Sequence, residues 1–411
     1  MRVRGLTSDL WPYHSKPLQD ELLSCWLARL AAGNGLKLHS FTSMAWPGLS
    51  LWNRDVDNFA PPNVVSLVAA RTGTDIGRAE ATTLRAYQGT VFETHNAKGM
   101  TSWVLPVGVY HRTRRRFGLQ CCVYCLRESG HYRRLWRLAF VTVCTKHHVA
   151  MIDRCPRCRA PIVFHRRDLG DRRVFDAAPL VTCHDCGLDL SGLRPKRIAP
   201  NSRIITFQRS LETTMASGMG AIGKGHVFSH LFLAGLRVLV QLCSAGWAAS
   251  LIQAEVGREI GIVPFEPSWS GGGHVVEHLP IDDRRRLLAL AARLLEDWPH
   301  RFIHSANRVG LTASYLVRHR EDLPYWYWRV IRENFDRRAY VPTVDEITAV
   351  VDHLRRRGEV PTRLAVSLLL GNRELFRKRR LDHLLDAQLD LWTYATQVAL
   401  GSGVDKSASG V

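Results

Sequence analysis

The chain has 411 residues, too many for one compact core, so it should divide into about two to four domains. Hydrophobic residues make up 46% and aromatics 9%, an ordinary globular composition that excludes a wholly disordered chain. Lys and Arg outnumber Asp and Glu by 56 to 37, for a formal charge of +19, and such a surplus favours a polyanionic partner, nucleic acid first.

Met1 to Asp9 lack the apolar stretch of a signal peptide. The longest apolar stretch, Val227 to Val256, is broken by His230, Arg237, Gln241 and Gln253, which suits packed helices and not a membrane span. A cytoplasmic protein is therefore expected. Asp20 to Asn34 reads as a helix with Leu22, Leu23, Trp26, Leu27 and Leu30 on one stripe, stopped by Gly33 and Asn34. Short apolar segments follow at Val64 to Ala70 and Ala79 to Tyr87, as in a small helical domain over residues 1–111.

From about Arg112 to Lys196, Cys, His and Arg crowd together, and a second domain is expected over 112–196. Eight of the ten cysteines fall between positions 121 and 186, mostly as Cys-x-x-Cys pairs. In a chain without an export signal, that spacing indicates metal binding and not a disulfide framework. Cys122 with Cys125 and Cys144 with His147 are two pairs 18 residues apart; Cys155 with Cys158 and Cys183 with Cys186 are two more, 24 apart. A Cys-x-x-Cys turn aims both sulfurs at one ion, and two turns complete a tetrahedron. Two Zn2+ ions per chain are predicted. Four protein ligands leave no open position for water, so the role is structural and contributes folding energy. Cys121 could replace Cys122 and His148 could replace His147, although the two-residue spacing favours Cys122 and His147. Gly187, directly after the last cysteine, suits a tight knuckle turn.

The run from Trp136 to His147 (WRLAFVTVCTKH), followed by Cys155 to Cys158, resembles the zinc-finger core of the TniQ family. Pro17 to Ala31 (PLQDELLSCWLARLA), with Asn34-Gly-Leu just after, is similar to that family's N-terminal signature. The resemblance spans roughly residues 15 to 190 and weakens beyond 200. One departure is Val123, where the family commonly has proline; the position is not a ligand. The resemblance implies a non-enzymatic target-selection adaptor of DNA transposons with helix-turn-helix and zinc-finger domains. It implies an AAA+ transposition ATPase as partner, a target that is either DNA or an RNA-guided Cascade complex with its guide RNA, a homodimer, and a prokaryotic, nucleoid-associated setting.

Residues 197–263 read as helical again, and Pro264 to Pro280, with Ser270 and three glycines, reads as a linker over 264–281. Helical periodicity returns at Asp282 to Trp298, Tyr325 to Phe335 and Val344 to Arg357, within a C-terminal domain over 282–400. The four aromatics Tyr325 to Trp328 follow Pro324, which starts a helix that should bury most of them. Thr362 to Arg380 has the plan of a helix-turn-helix: a short apolar helix, Gly371 at the turn, then a basic helix from Arg373. In such a motif the second helix enters the major groove. Asn372, Arg373 and Arg377 are candidate base or phosphate contacts, and Arg363, Lys378, Arg379 and Arg380 candidate phosphate contacts. Lesser basic clusters at Arg114 to Arg116, Arg133–Arg134 and Arg166–Arg167 could track a phosphate backbone. Residues 401–411 read as a disordered tail.

Two motifs imitate catalytic sites. His274 to His278 matches the H-x-x-E-H zinc peptidase pattern, but three glycines precede it and Pro280 closes it, so no stable helix can present both histidines. Gly218 to Gly225 imitates a phosphate-binding loop, but Gly225 stands where Ser or Thr should hold magnesium; a flexible interhelical turn is expected. The fold expected is mainly α, with helix-turn-helix domains flanking a small α/β, zinc-ribbon-like double zinc-finger module. A free-standing zinc-containing helix-turn-helix transcriptional regulator is the alternative reading.

Overall fold

The computed structural model describes residues 9–110, 113–166, 180–268, 275–317, 323–336, 342–371 and Asp386. The chain divides into two compact units, residues 1–335 and 336–411. Among the described residues it is mostly helical, with three two-stranded antiparallel sheets.

The first unit opens with α1 (Leu23–Gly33), whose stripe is matched by burial: Leu22, Leu23, Trp26, Leu27 and Leu30 are fully enclosed. Asn34 stops it, its amide donating to the Leu30 carbonyl at 2.8 Å. Then come α2 (Leu38–Ala45), α3 (Val56–Phe59), α4 (Pro62–Thr72) and α5 (Ile76–Glu80). Helix α4 starts with Pro62 in its first turn, where the missing N–H costs nothing. The hairpin of β1 (Val109–Tyr110) and β2 (Thr113–Arg114) leads to α6 (Val123–Ser129) and the hairpin of β3 (Val143–Cys144) and β4 (Val149–Ala150). Residues 196–198 run along the far edge of β4: Ala150 N donates to Lys196 O at 2.9 Å and Ile198 N to His148 O at 2.8 Å.

Helix α7 (Arg203–Ser217) is followed by β5 (Met219–Ile222), β6 (Gly225–Phe228) and α8 (Ser229–Ser244). Residues 218–225, expected as a flexible turn, thus belong to a hairpin with Met219 opposite Phe228 and Ile222 opposite Gly225. The physical reason is the Gly223–Lys224 pair: glycine with a φ of +57° opens a two-residue loop whose twist suits antiparallel strands. Helices α9 (Ala249–Gly257), α10 (Ile281–Leu295), α11 (His300–Val309), α12 (Ala313–Val317) and α13 (Tyr325–Asn334) complete the unit. Of the four aromatics, Trp326 and Tyr327 are buried, while Tyr325 and Trp328 reach solvent. The Trp326 indole packs against Gly235 of α8, so close that a Cβ there would clash with the edge of the ring. The Trp326 indole N–H donates to Leu231 O at 3.0 Å.

One continuous apolar core runs through this unit from Leu22 to Phe335. The stretch expected as a linker contributes to it in its described part, with Val276 and Leu279 buried and Phe265 N donating to the Gln253 side chain at 2.8 Å. No single described helix is long and apolar enough to cross a membrane; α8 and the helical segment after it pass only as a pair bent by 102°.

In the second unit, α14 (Val344–Arg356) begins with a capping box: Thr343 and Glu346 satisfy each other's backbone N–H groups. Its Ile347, Val351 and Leu354 bury against Val366 of α15 (Arg363–Leu369). Gly371, with φ of +67°, makes the left-handed turn expected after α15.

Candidate metal centre

Helix α6 is short and begins right after Cys122, so its first turn carries Cys125 beside Cys122. Across from it, β3 ends in Cys144 and the turn to β4 holds His147. The donor atoms of Cys122, Cys125, Cys144 and His147 all lie within 4.8 Å of one another. His147 Nδ1 stands 3.3 Å from Cys125 Sγ, 3.5 Å from Cys122 Sγ and 3.6 Å from Cys144 Sγ, and the Cys125 and Cys144 sulfurs are 3.7 Å apart. Zinc bonds of about 2.3 Å to sulfur and about 2.0 Å to nitrogen put tetrahedral neighbours roughly 3.5–3.8 Å apart. The donor set fits such an ion.

The second cluster joins Cys155, Cys158, Cys183 and Cys186, again within 4.8 Å. Cys155 and Cys186 sulfurs are 3.6 Å apart, as are those of Cys158 and Cys183, far beyond a disulfide bond of about 2.05 Å. The knuckle is closed by Gly187, whose φ of +71° lets its N–H donate to Cys183 O at 3.1 Å; a β-carbon is strained in that conformation.

Crowding of the sulfurs splits their acidity. Hydrogen bonds from Cys122 and Cys125 hold Cys144 far below the ordinary thiol range. In the second cluster the Leu188 backbone N–H, followed by the neighbouring sulfurs, brings Cys186 down to about 7. Cys122, Cys125, Cys158 and Cys183 are raised in turn; the thiolate is the form that ligates metal.

Cys121 stands outside both clusters. Its backbone pairs with Ile152 in both directions (2.8 and 3.0 Å), which turns the thiol into the core, and burial raises its pKa well above the usual range. His148 is likewise outside; its N–H donates to Cys144 O at 2.9 Å.

The segment between the ligand pairs is held by a polar network that sequence reasoning missed. The fully buried Arg137 pairs with Asp55 at 2.5 Å and Asp57 at 3.2 Å, and donates to Leu105 O at 2.9 Å. Ser24 of α1 completes the net, its N–H and hydroxyl each donating to Asp57 at 2.8 Å. Burial pushes Asp55 up, but the Arg137 and Arg114 charges outweigh it and hold the carboxyl below the usual range. Asp57, with burial the larger influence and the Asp55 charge beside it, is raised to about 6. The N-terminal signature is explained in the same way. Glu21 is buried against Arg29 in a bidentate pair of 2.7 and 2.8 Å, and Asp20 binds Arg134 at 3.3 Å.

Arg284 of α10 reaches the same segment from the other side. Fully buried, it donates to Ala139 O, to Gln120 Oε1 at 3.1 Å and to Leu279 O at 3.1 Å. Burial, with no carboxylate among these acceptors, lowers its pKa to about 10.

Among the lesser basic clusters, Arg134 is spent on Asp20 and on the Tyr87 ring, and Arg114 donates to the Trp52 and Arg54 carbonyls. Arg167 lies outside the described residues. Within the H-x-x-E-H match, His274 lies outside the described residues and Glu277 is buried. Glu277 accepts from Arg237 at 2.9 and 3.0 Å and from Trp103 N at 2.6 Å. That leaves the carboxylate fully engaged in structure. Arg363, expected on phosphate, pairs with Asp386 at 3.3 Å. Asn372, Arg373, Arg377, Lys378, Arg379 and Arg380 lie outside the described residues.

Among the described residues, a mainly helical fold flanks two Cys/His clusters, each capable of coordinating a metal ion. Residues 12–151 match the model of the TniQ family, a match that supports assignment to that family. TniQ proteins are non-enzymatic adaptors, and the assignment supports a role in transposon target-site selection in general. No curated protein matches the chain.

Proposed function

We propose that this protein is a target-site selection adaptor that links a target-recognition element to an AAA+ transposition ATPase and, through it, to the transposase. The recognition element is a DNA site or an RNA-guided Cascade complex. The observation that carries the reading is the first Cys/His cluster, set inside the TniQ-matching segment with all four donors supplied by protein. In this reading both clusters hold Zn2+: Cys122, Cys125, Cys144 and His147 one ion, Cys155, Cys158, Cys183 and Cys186 the other. With their coordination closed, the ions tie together the turns that carry their donors and contribute folding energy. The surfaces on residues 112–196 then serve binding, and the basic segment from Arg363 to Arg380 faces nucleic acid, a reading supported by the surplus positive charge.

The test is co-purification of the full chain with the products of neighbouring genes. Capture of an AAA+ ATPase is the expected result, and guide RNA in the same fraction selects the Cascade branch. Sequence-specific promoter binding by a chain that retains no ATPase would overturn the reading in favour of a transcriptional regulator.

A further inference from the structure

The first cluster has a feature that the second lacks. His147 presents Nδ1 to the three sulfurs, and its other ring nitrogen, Nε2, lies 2.8 Å from Glu128 Oε1. Glu128 sits one helical turn after Cys125 on α6, and residues three apart on a helix share a face. One short helix therefore delivers both a sulfur and a carboxylate to the same imidazole. The second oxygen of Glu128 is held at 2.6 Å by Lys146, from the turn between Cys144 and His147. The ring is further confined by the edge of Tyr124 at 5.6 Å between centroids, and Tyr124 in turn lies under the Arg127 guanidinium.

We propose that Glu128 is a positioning residue for the first metal site. By accepting the Nε2 proton of His147 it fixes the tautomer whose Nδ1 lone pair faces the three sulfurs, and it raises the basicity of that nitrogen. An imidazole with no such acceptor divides its proton between both nitrogens, and only one of the two tautomers can ligate. Removing such a carboxylate typically weakens metal affinity about 10- to 100-fold. The proposal rests on the reading of the two clusters as zinc sites. The second cluster, all cysteine, contains no imidazole to orient and serves as an internal reference in the same chain.

The experiment uses the full chain loaded with zinc and titrated with a chelator, with a parallel cobalt-loaded sample. Cobalt reports the two sites separately, because one nitrogen among three sulfurs shifts its visible bands from those of four sulfurs. Glu128→Ala should release one ion per chain at about 10- to 100-fold lower chelator than wild type, with the all-sulfur bands unmoved. Glu128→Gln, whose amide oxygen can still accept from Nε2, should fall between the two. Lys146→Ala should leave release unchanged; if it matches Glu128→Ala, the carboxylate acts only as a surface ion pair and the proposal falls. Wild-type release by Glu128→Ala in a chain that holds two ions would also overturn it. A wild-type chain holding no tight metal would instead defeat the zinc reading itself.

Discussion

Arg137 shows how much a single side chain carries here. Its guanidinium lies between Asp55 and Asp57 with 1% of its side chain exposed, so truncation leaves the buried Asp57 and the half-buried Asp55 beside each other with only the Arg114 charge close by. Breaking a buried pair in this way costs about 3–5 kcal/mol. Arg137→Ala should lower the denaturant midpoint by a corresponding amount, and a loss below about 1 kcal/mol would mean that water reaches the pair. The Glu277–Arg237 pair makes a pH prediction. Burial alone would raise Glu277, yet Arg237 holds it below the usual carboxylate range. A lowered folded-state pKa gives stability that is present above the unfolded value, about 4.3, and lost as pH falls through the folded one. The gap in Tm between wild type and Glu277→Gln should be widest near neutral pH and should shrink below about pH 4. A gap that is constant with pH would contradict the ion pair.

Among the elements, α8 and α13 meet where glycine permits it. Gly235→Ala would drive a β-carbon into the Trp326 indole, and overpacking of this kind costs about 1–3 kcal/mol. Thermal unfolding should show a lower Tm for Gly235→Ala, and Trp326→Leu in the same chain should relieve part of it. The turns that carry the two Cys/His clusters make a different prediction, which rests on their reading as zinc sites. Cys158→Ser removes one of four sulfurs from the second cluster, and metal analysis should then give one ion per chain in place of two. Retention of two would mean that another residue ligates.

For the whole molecule, the +19 charge predicts binding to polyanions with strong salt dependence. Charge reversal at Arg377 and Lys378 should weaken DNA affinity and flatten the slope of log affinity against log salt by about one for each lost phosphate contact. An unchanged affinity would assign this segment to a protein partner. Charge counts could not say which cations are available. Arg134, Arg137, Arg237 and Arg284 are engaged by pairs and carbonyls within the fold, but Asp20, Asp55, Asp57 and Glu277 are engaged with them, so the net surplus rests on other residues.

The metal clusters were legible in the sequence because each ligand pair is local: two residues between donors fix a turn, and the turn fixes the aim of the sulfurs. The stripe of α1 and the turn at Gly371 were legible for the same reason. Spacing favoured Cys122 over Cys121 for the cluster, and in the structure Cys122 lies in it while Cys121 pairs with Ile152 outside it. Nothing local marked Asp55 and Asp57, which lie 82 and 80 positions from Arg137, or Arg284, which lies 145 from Ala139. Sequence by itself marked the Cys and His residues that cluster and the helices, whose geometry is set within a few residues. Only the tertiary structure decided which charges face inward, since burying a charge depends on partners brought close by the packing of distant segments.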